Sequence, residues 1–179
     1  MAERTITPAN DVFLIWTSIV ASLTTQFIFT LVGLGAGIIA VRYAPTANSS
    51  VVWYAFAWWA ATGVFAAAVG GVVIGALGQG IDDAKLTVLA LIAWASALLI
   101  VAFAVALAAG AGTSVLSAFG GPLGAALDRM AEGKATPELQ RQVATLAISS
   151  VVALMLGAAA SVGGAVYAPE APVRTSKRG

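Results

Sequence analysis

The chain contains neither cysteine nor histidine in its 179 residues. Without cysteine there is no disulfide, no thiolate nucleophile and no iron–sulfur ligation. Without histidine there is no imidazole metal site, no conventional axial pair for haem, no usual ligand for chlorophyll and no serine–histidine hydrolase machinery. Neither a cofactor site nor a metal site can be assembled from what remains, and no enzyme activity is expected. Charge is scarce as well. Only 9% of residues are charged, against about 25% in an ordinary soluble domain. With 60% of the chain hydrophobic, too few polar residues remain to cover a soluble domain of this size. The net charge of +1 creates no long-range field to attract nucleic acid, and no basic run is dense enough to bind it.

The few charges are also segregated. None lies between Asp11 and Arg42, between Arg42 and Asp82, between Lys85 and Asp128, or between Arg141 and Glu170. An apolar helix needs about 20 residues to cross a hydrocarbon core of roughly 30 Å, and each gap is long enough. The expected fold is therefore an all-α membrane protein, a bundle of four transmembrane helices in one domain. Its spans fall at about 12–41, 51–77, 85–109 and 142–167. The polar opening residues and the long apolar run after them do not fit a removable signal peptide, so the first span is expected to stay in the mature protein.

Punctuation along the chain supports this division. Thr7-Pro8 and Thr136-Pro137 each offer a cap followed by a proline suited to a first helical turn. Gly78-Gln79-Gly80 ends the second helix, and Asp82 and Asp83 cap the third. Short connections predict antiparallel hairpins. The segment 113–134 is too short in apolar length for a further crossing. It reads as short interfacial helices between helices three and four, with a re-entrant segment as the alternative. Trp16-Thr17-Ser18 is echoed by Trp94-Ala95-Ser96, an arrangement that two hairpin repeats would produce.

Small residues recur at four-residue spacing. The second helix carries Gly63, Ala67, Gly71 and Gly75; the fourth carries Ser149, Ala153, Gly157, Ser161 and Ala165; the first carries Gly33 and Gly37. Residues four apart share one helix face, and small side chains there let another backbone approach closely in lipid. These faces serve either packing within one bundle or contact between protomers. Four helices need fewer seams than are written here, so a homo-oligomer is expected. Helix one also has a polar row, Ser18, Ser22, Gln26 and Thr30. Gln26 lies in the middle of a charge-free stretch, where an unpartnered amide is costly. It must face protein or water. Interhelical hydrogen bonding is one reading of the row, and a polar path for a small solute or ion is the other. The tryptophans at 16, 58, 59 and 94 read as packing anchors. Asp128, Glu132 and Glu138 read as solvated surface among Arg129, Lys134 and Arg141.

Over about residues 10–110 the chain resembles a group of bacterial integral membrane proteins labelled PhnA-like. The resemblance is carried by Trp16, Ser18, Ala21 and Gln26, then Leu31-Val32-Gly33-Leu34-Gly35-Ala36-Gly37. It continues in Ala57-Trp58-Trp59, Gly70-Gly71, Gly75-Ala76-Leu77-Gly78 and Leu91-Ile92-Ala93-Trp94-Ala95. That family commonly has a basic residue late in helix two, where this chain has Ala76, and often a histidine early in helix three, where it has Asp82-Asp83-Ala84-Lys85. The resemblance implies a bacterial inner-membrane location and assigns no activity.

These features predict a non-enzymatic protein that self-associates or scaffolds a membrane assembly through glycine and alanine seams. A small channel or facilitator lined by helix one is the alternative. An accessory subunit of a larger bacterial membrane complex is a further one. Arg4, Lys85, Arg174, Lys177 and Arg178 outnumber Arg42, Arg129, Lys134 and Arg141, which favours both termini in the cytoplasm.

Overall fold

The computed structural model describes residues 8–43, 50–110, 133 and 136–168. They form four helices: α1 (Pro8–Tyr43), α2 (Ser50–Leu77), α3 (Asp83–Gly110) and α4 (Pro137–Val166). Each is long and apolar enough to cross a membrane, and no strand occurs among the described residues. The chain is an all-α, multi-pass integral membrane protein built as a four-helix bundle. The interfacial helices expected over 113–134 lie outside the described residues, apart from Gly133.

The helix ends follow local chemistry. Thr136 Oγ1 accepts from the Leu139 N–H at 3.2 Å, with Pro137 in the first turn, where its missing N–H is not needed. Asp82 Oδ2 accepts from the Ala84 N–H at 3.1 Å. It is thus Asp82 that caps α3, while Asp83 sits in the first turn beside the positive end of the helix. The α2–α3 turn closes by Gly78 N–H donating to Ile74 O at 2.7 Å and Ile81 N–H to Gly78 O at 3.0 Å. Gly80 takes a left-handed φ of 85° there, which glycine adopts without a Cβ clash.

The helices form a closed ring in the order α1, α2, α4, α3, and α2–α4 is the most extensive seam. Across the ring α2 touches α3, whereas among the described residues α1 and α4 do not meet. Contacts fix the directions. Ser18 with Gly70, Gln26 with Thr62 and Gly33 with Trp58 make α1 and α2 antiparallel. Gly71 with Ser161 and Gly75 with Ala165 make α2 and α4 parallel. The Asp11–Lys85 ion pair places the starts of α1 and α3 at one end.

The interior is built from small side chains. Of the buried apolar residues, Ala66, Ala67, Ala90, Ala93, Ala97 and Ala165 have no side chain beyond Cβ, and Leu14, Ile19, Ile74, Leu86 and Leu89 fill one end. Large apolar side chains face outward instead, among them Phe13, Phe27, Leu31, Phe103, Ile148 and Met155. So many large apolar side chains on the outside are unlike the surface of a soluble domain. In lipid there is no gain in hiding leucine from water, so close backbone approach decides what lies inside. The outward hydroxyls obey the same solvent. Thr17, Thr30 and Thr145 each donate to the carbonyl four residues earlier, at 2.8, 2.8 and 2.9 Å, which satisfies them where no water is at hand.

The tryptophan–serine echo of helices one and three occupies unlike surroundings. Trp16 points outward at 57% exposure, while Trp94 is half-buried with its Nε1 against Gly157. The parallel placement of α1 with α3 and α2 with α4 follows from alternating direction alone.

Candidate functional site: seams and a polar centre

The α2–α4 seam is backbone against backbone. A Cβ on Gly71 would overlap Ser161 O and stand 3.0 Å from Ala165 N; one on Gly75 would overlap Ala165 O. From the other side, a Cβ on Gly164 would lie 2.5 Å from Ala68 O and 2.9 Å from Val72 N. Ala67, Gly71 and Gly75 of the α2 row and Gly157, Ser161 and Ala165 of the α4 row, open in the sequence to use within or between protomers, therefore meet each other inside one chain. These six are buried, whereas Ser149 and Ala153 are half-buried and Gly63, also half-buried, turns toward Gln26 of α1.

Gly70 faces the other way. A Cβ on it would stand 3.0 Å from Ser18 Oγ and 3.2 Å from Ser22 Cβ of α1. Successive residues on a helix point about 100° apart, so the adjacent pair Gly70-Gly71 gives α2 a smooth face toward each neighbour. That pair is the signal that α2 is held closely on two sides, and the four-residue pattern passed over Gly70 and Gly164.

Gly33 serves a side chain rather than a backbone. The Trp58 indole covers it, and Trp58 Nε1 donates to Phe29 O at 3.2 Å. Phe29 also meets Phe65 edge-on, with ring centroids 5.5 Å apart. Together they fasten the α1–α2 pair near the C-terminal half of α1. Gly37 is part of α1, but its surroundings lie outside the described residues.

The polar row of α1 divides. Ser18 is buried and donates to Gly70 O at 2.9 Å. Ser22 is half-buried and lines the centre of the bundle. Gln26 lies against α2, its Nε2 donating to Thr62 Oγ1 at 3.4 Å. Thr30 is exposed. Each four-residue step turns the row by about 40°, which carries it from the bundle centre to the outside over three steps. Only Ser18 and Ser22 face the interior together.

Gln26 Oε1 is buried without a hydrogen-bond partner among the described residues, and a Cβ on Gly63 would stand 3.9 Å from it with nothing else within 4 Å. Gly63→Ser can bring a hydroxyl to that oxygen while removing the flexibility of a mid-helix glycine. It is expected to raise stability by about 1 kcal/mol, read from the denaturant midpoint of helix loss in mixed micelles. An unchanged or lower midpoint would rule Oε1 out as an available acceptor.

At the centre is a small cavity lined by all four helices: Ser18, Ile19 and Ser22, Ala67 and Gly70, Ala93, Trp94 and Ala97, and Ser161. Ser161 Oγ donates to Ala90 O at 3.3 Å. The space open to the centre of a water molecule is about 10 Å³, close to the minimum that one water requires. At the bundle end, Lys85 Nζ lies 2.8 Å from Asp11 Oδ2, with side chains 38% and 26% exposed. A partly exposed pair of this kind is worth about 0.2–1 kcal/mol, enough to set α1 against α3 but not to dominate the fold. Glu138 pairs with Arg141 at 3.8 Å on the exposed start of α4; Asp128 and Glu132 fall outside the described residues.

Comparison with family models, with curated proteins and with solved structures finds no match to the chain.

Proposed function

We propose that the chain is a non-enzymatic membrane scaffold, a self-contained four-helix unit that associates with further transmembrane helices. Those helices belong to its own copies or to a larger bacterial inner-membrane complex, with both termini on the cytoplasmic side. The reading shares its location and its lack of an assigned activity with the PhnA-like proteins that residues 10–110 resemble. The observation that carries it is the closure of the bundle centre, where Gly70 and Gly71 hold α1 and α4 close to α2 and leave room for about one water. A facilitator working through a single protomer needs a continuous path along Ser18, Ser22, Gln26 and Thr30, and that row turns away from the centre.

Association then falls to outward surfaces. Among the described residues, no neighbouring atom comes within 4 Å of a Cβ added at Gly35 on α1 or Gly163 on α4, so both positions are open where the seam glycines are closed. Sizing of the full chain in mild detergent is expected to give a particle larger than one protomer, and Gly35→Leu with Gly163→Leu is expected to shrink it without loss of helix. Liposomes carrying the protein are expected to pass small solutes no faster than empty ones. A monomer that brings no other membrane protein through native purification would defeat the scaffold reading. Flux above the empty-liposome level that falls in Gln26→Leu would establish the facilitator instead.

A further inference from the structure

We infer that the bundle centre is a binding site for a single ordered water molecule that joins α1 to α4. Ser18 and Ser161 each spend their hydroxyl proton on a backbone carbonyl, Gly70 O at 2.9 Å and Ala90 O at 3.3 Å, which leaves both oxygens as acceptors. Ser22 and Trp94 line the same space and carry a hydroxyl and an indole N–H, both able to donate. Two acceptors and two donors around a space of about 10 Å³ match the size and the two to four partners of a buried water. The water donates to Ser18 Oγ and Ser161 Oγ and accepts from Ser22 Oγ and Trp94 Nε1. It thereby links two helices whose backbones do not approach closely among the described residues. A cation fits less well, because no charged residue lies on α1 between Asp11 and Arg42 to balance it.

The test is nuclear magnetic resonance on the full chain in lipid nanodiscs, with the five tryptophans labelled with nitrogen-15 and the Trp94 signal assigned from Trp94→Phe. The expected result is a cross-peak between the Trp94 indole N–H and a long-lived water, lost in Ser22→Val, whose added methyls occupy the water's place. Absence of that cross-peak in the wild type overturns the inference whether or not the variant folds. So does its persistence in a folded Ser22→Val protein. A Trp94 shift that titrates with sodium or potassium chloride overturns it in favour of a cation.

Discussion

Gly71→Leu is expected to break the fold of a single protomer, and to do so more severely than any substitution on the outer surface. The seam it enters has backbone on both sides, with Ser161 O and Ala165 N directly over the glycine. A flexible neighbour can swing aside; a helix backbone cannot move without taking the rest of α4 with it. Overpacking a tight core costs about 1–3 kcal/mol, occasionally more, and a leucine against backbone belongs at or above the upper end. Gly71→Ala already introduces the offending Cβ and is expected to cost about 2 kcal/mol. The measurement is denaturant-induced loss of helix in mixed micelles, with Gly63→Ala as the control, since position 63 has room. If Gly71→Leu kept full stability and only dissociated an oligomer, the seam would lie between protomers and the assignment of α4 as its partner would be wrong.

The second large effect concerns which side of each helix meets lipid. Ile74 is fully buried, in a cluster with Leu14, Ile19, Leu86 and Leu89, whereas Ile148 is 68% exposed. In water, Ile→Ala at a core site costs about 2–5 kcal/mol through lost transfer energy and the cavity left behind. In a bilayer the transfer term largely vanishes, because lipid is as apolar as the core. What remains is lost packing. Ile74→Ala is therefore expected to cost about 2 kcal/mol, while Ile148→Ala is expected to be near neutral. The same unfolding assay reads both. Equal costs at the two positions would reverse the assignment of inside and outside.

The four helices were legible because charge is so unevenly spread. The stretches from Asp11 to Arg42 and from Arg141 to Glu170 can hardly be anything but spans, and Thr136-Pro137 and Gly78-Gln79-Gly80 announce the ends nearby. The seams were legible as faces but not as pairs. A row of glycines states that something comes close; it does not state what. Gly71 met the backbone of α4, Gly33 met an indole, and Gly35, in the same run of sequence, met nothing within 4 Å among the described residues. Helical phase was the limit for the polar row as well, since a repeat of four drifts by about 40° each step and separates Thr30 from Ser18. The central cavity was not legible at all, because it takes one to three residues from each helix and depends on a ring order that local sequence does not encode.

That ring order has a consequence for how the protein is made. Helix α2 is synthesised well before α4, its principal neighbour, with all of α3 and the segment after it still to come. Helices enter the bilayer first and associate afterwards. Until α4 arrives, the smooth face of Gly71 and Gly75 rests against lipid tails, and α3 is held mainly by α1. The arrival of α4 therefore closes the bundle, and a chain interrupted before Thr136 would carry an unfilled groove, open to any passing helix with a face as small.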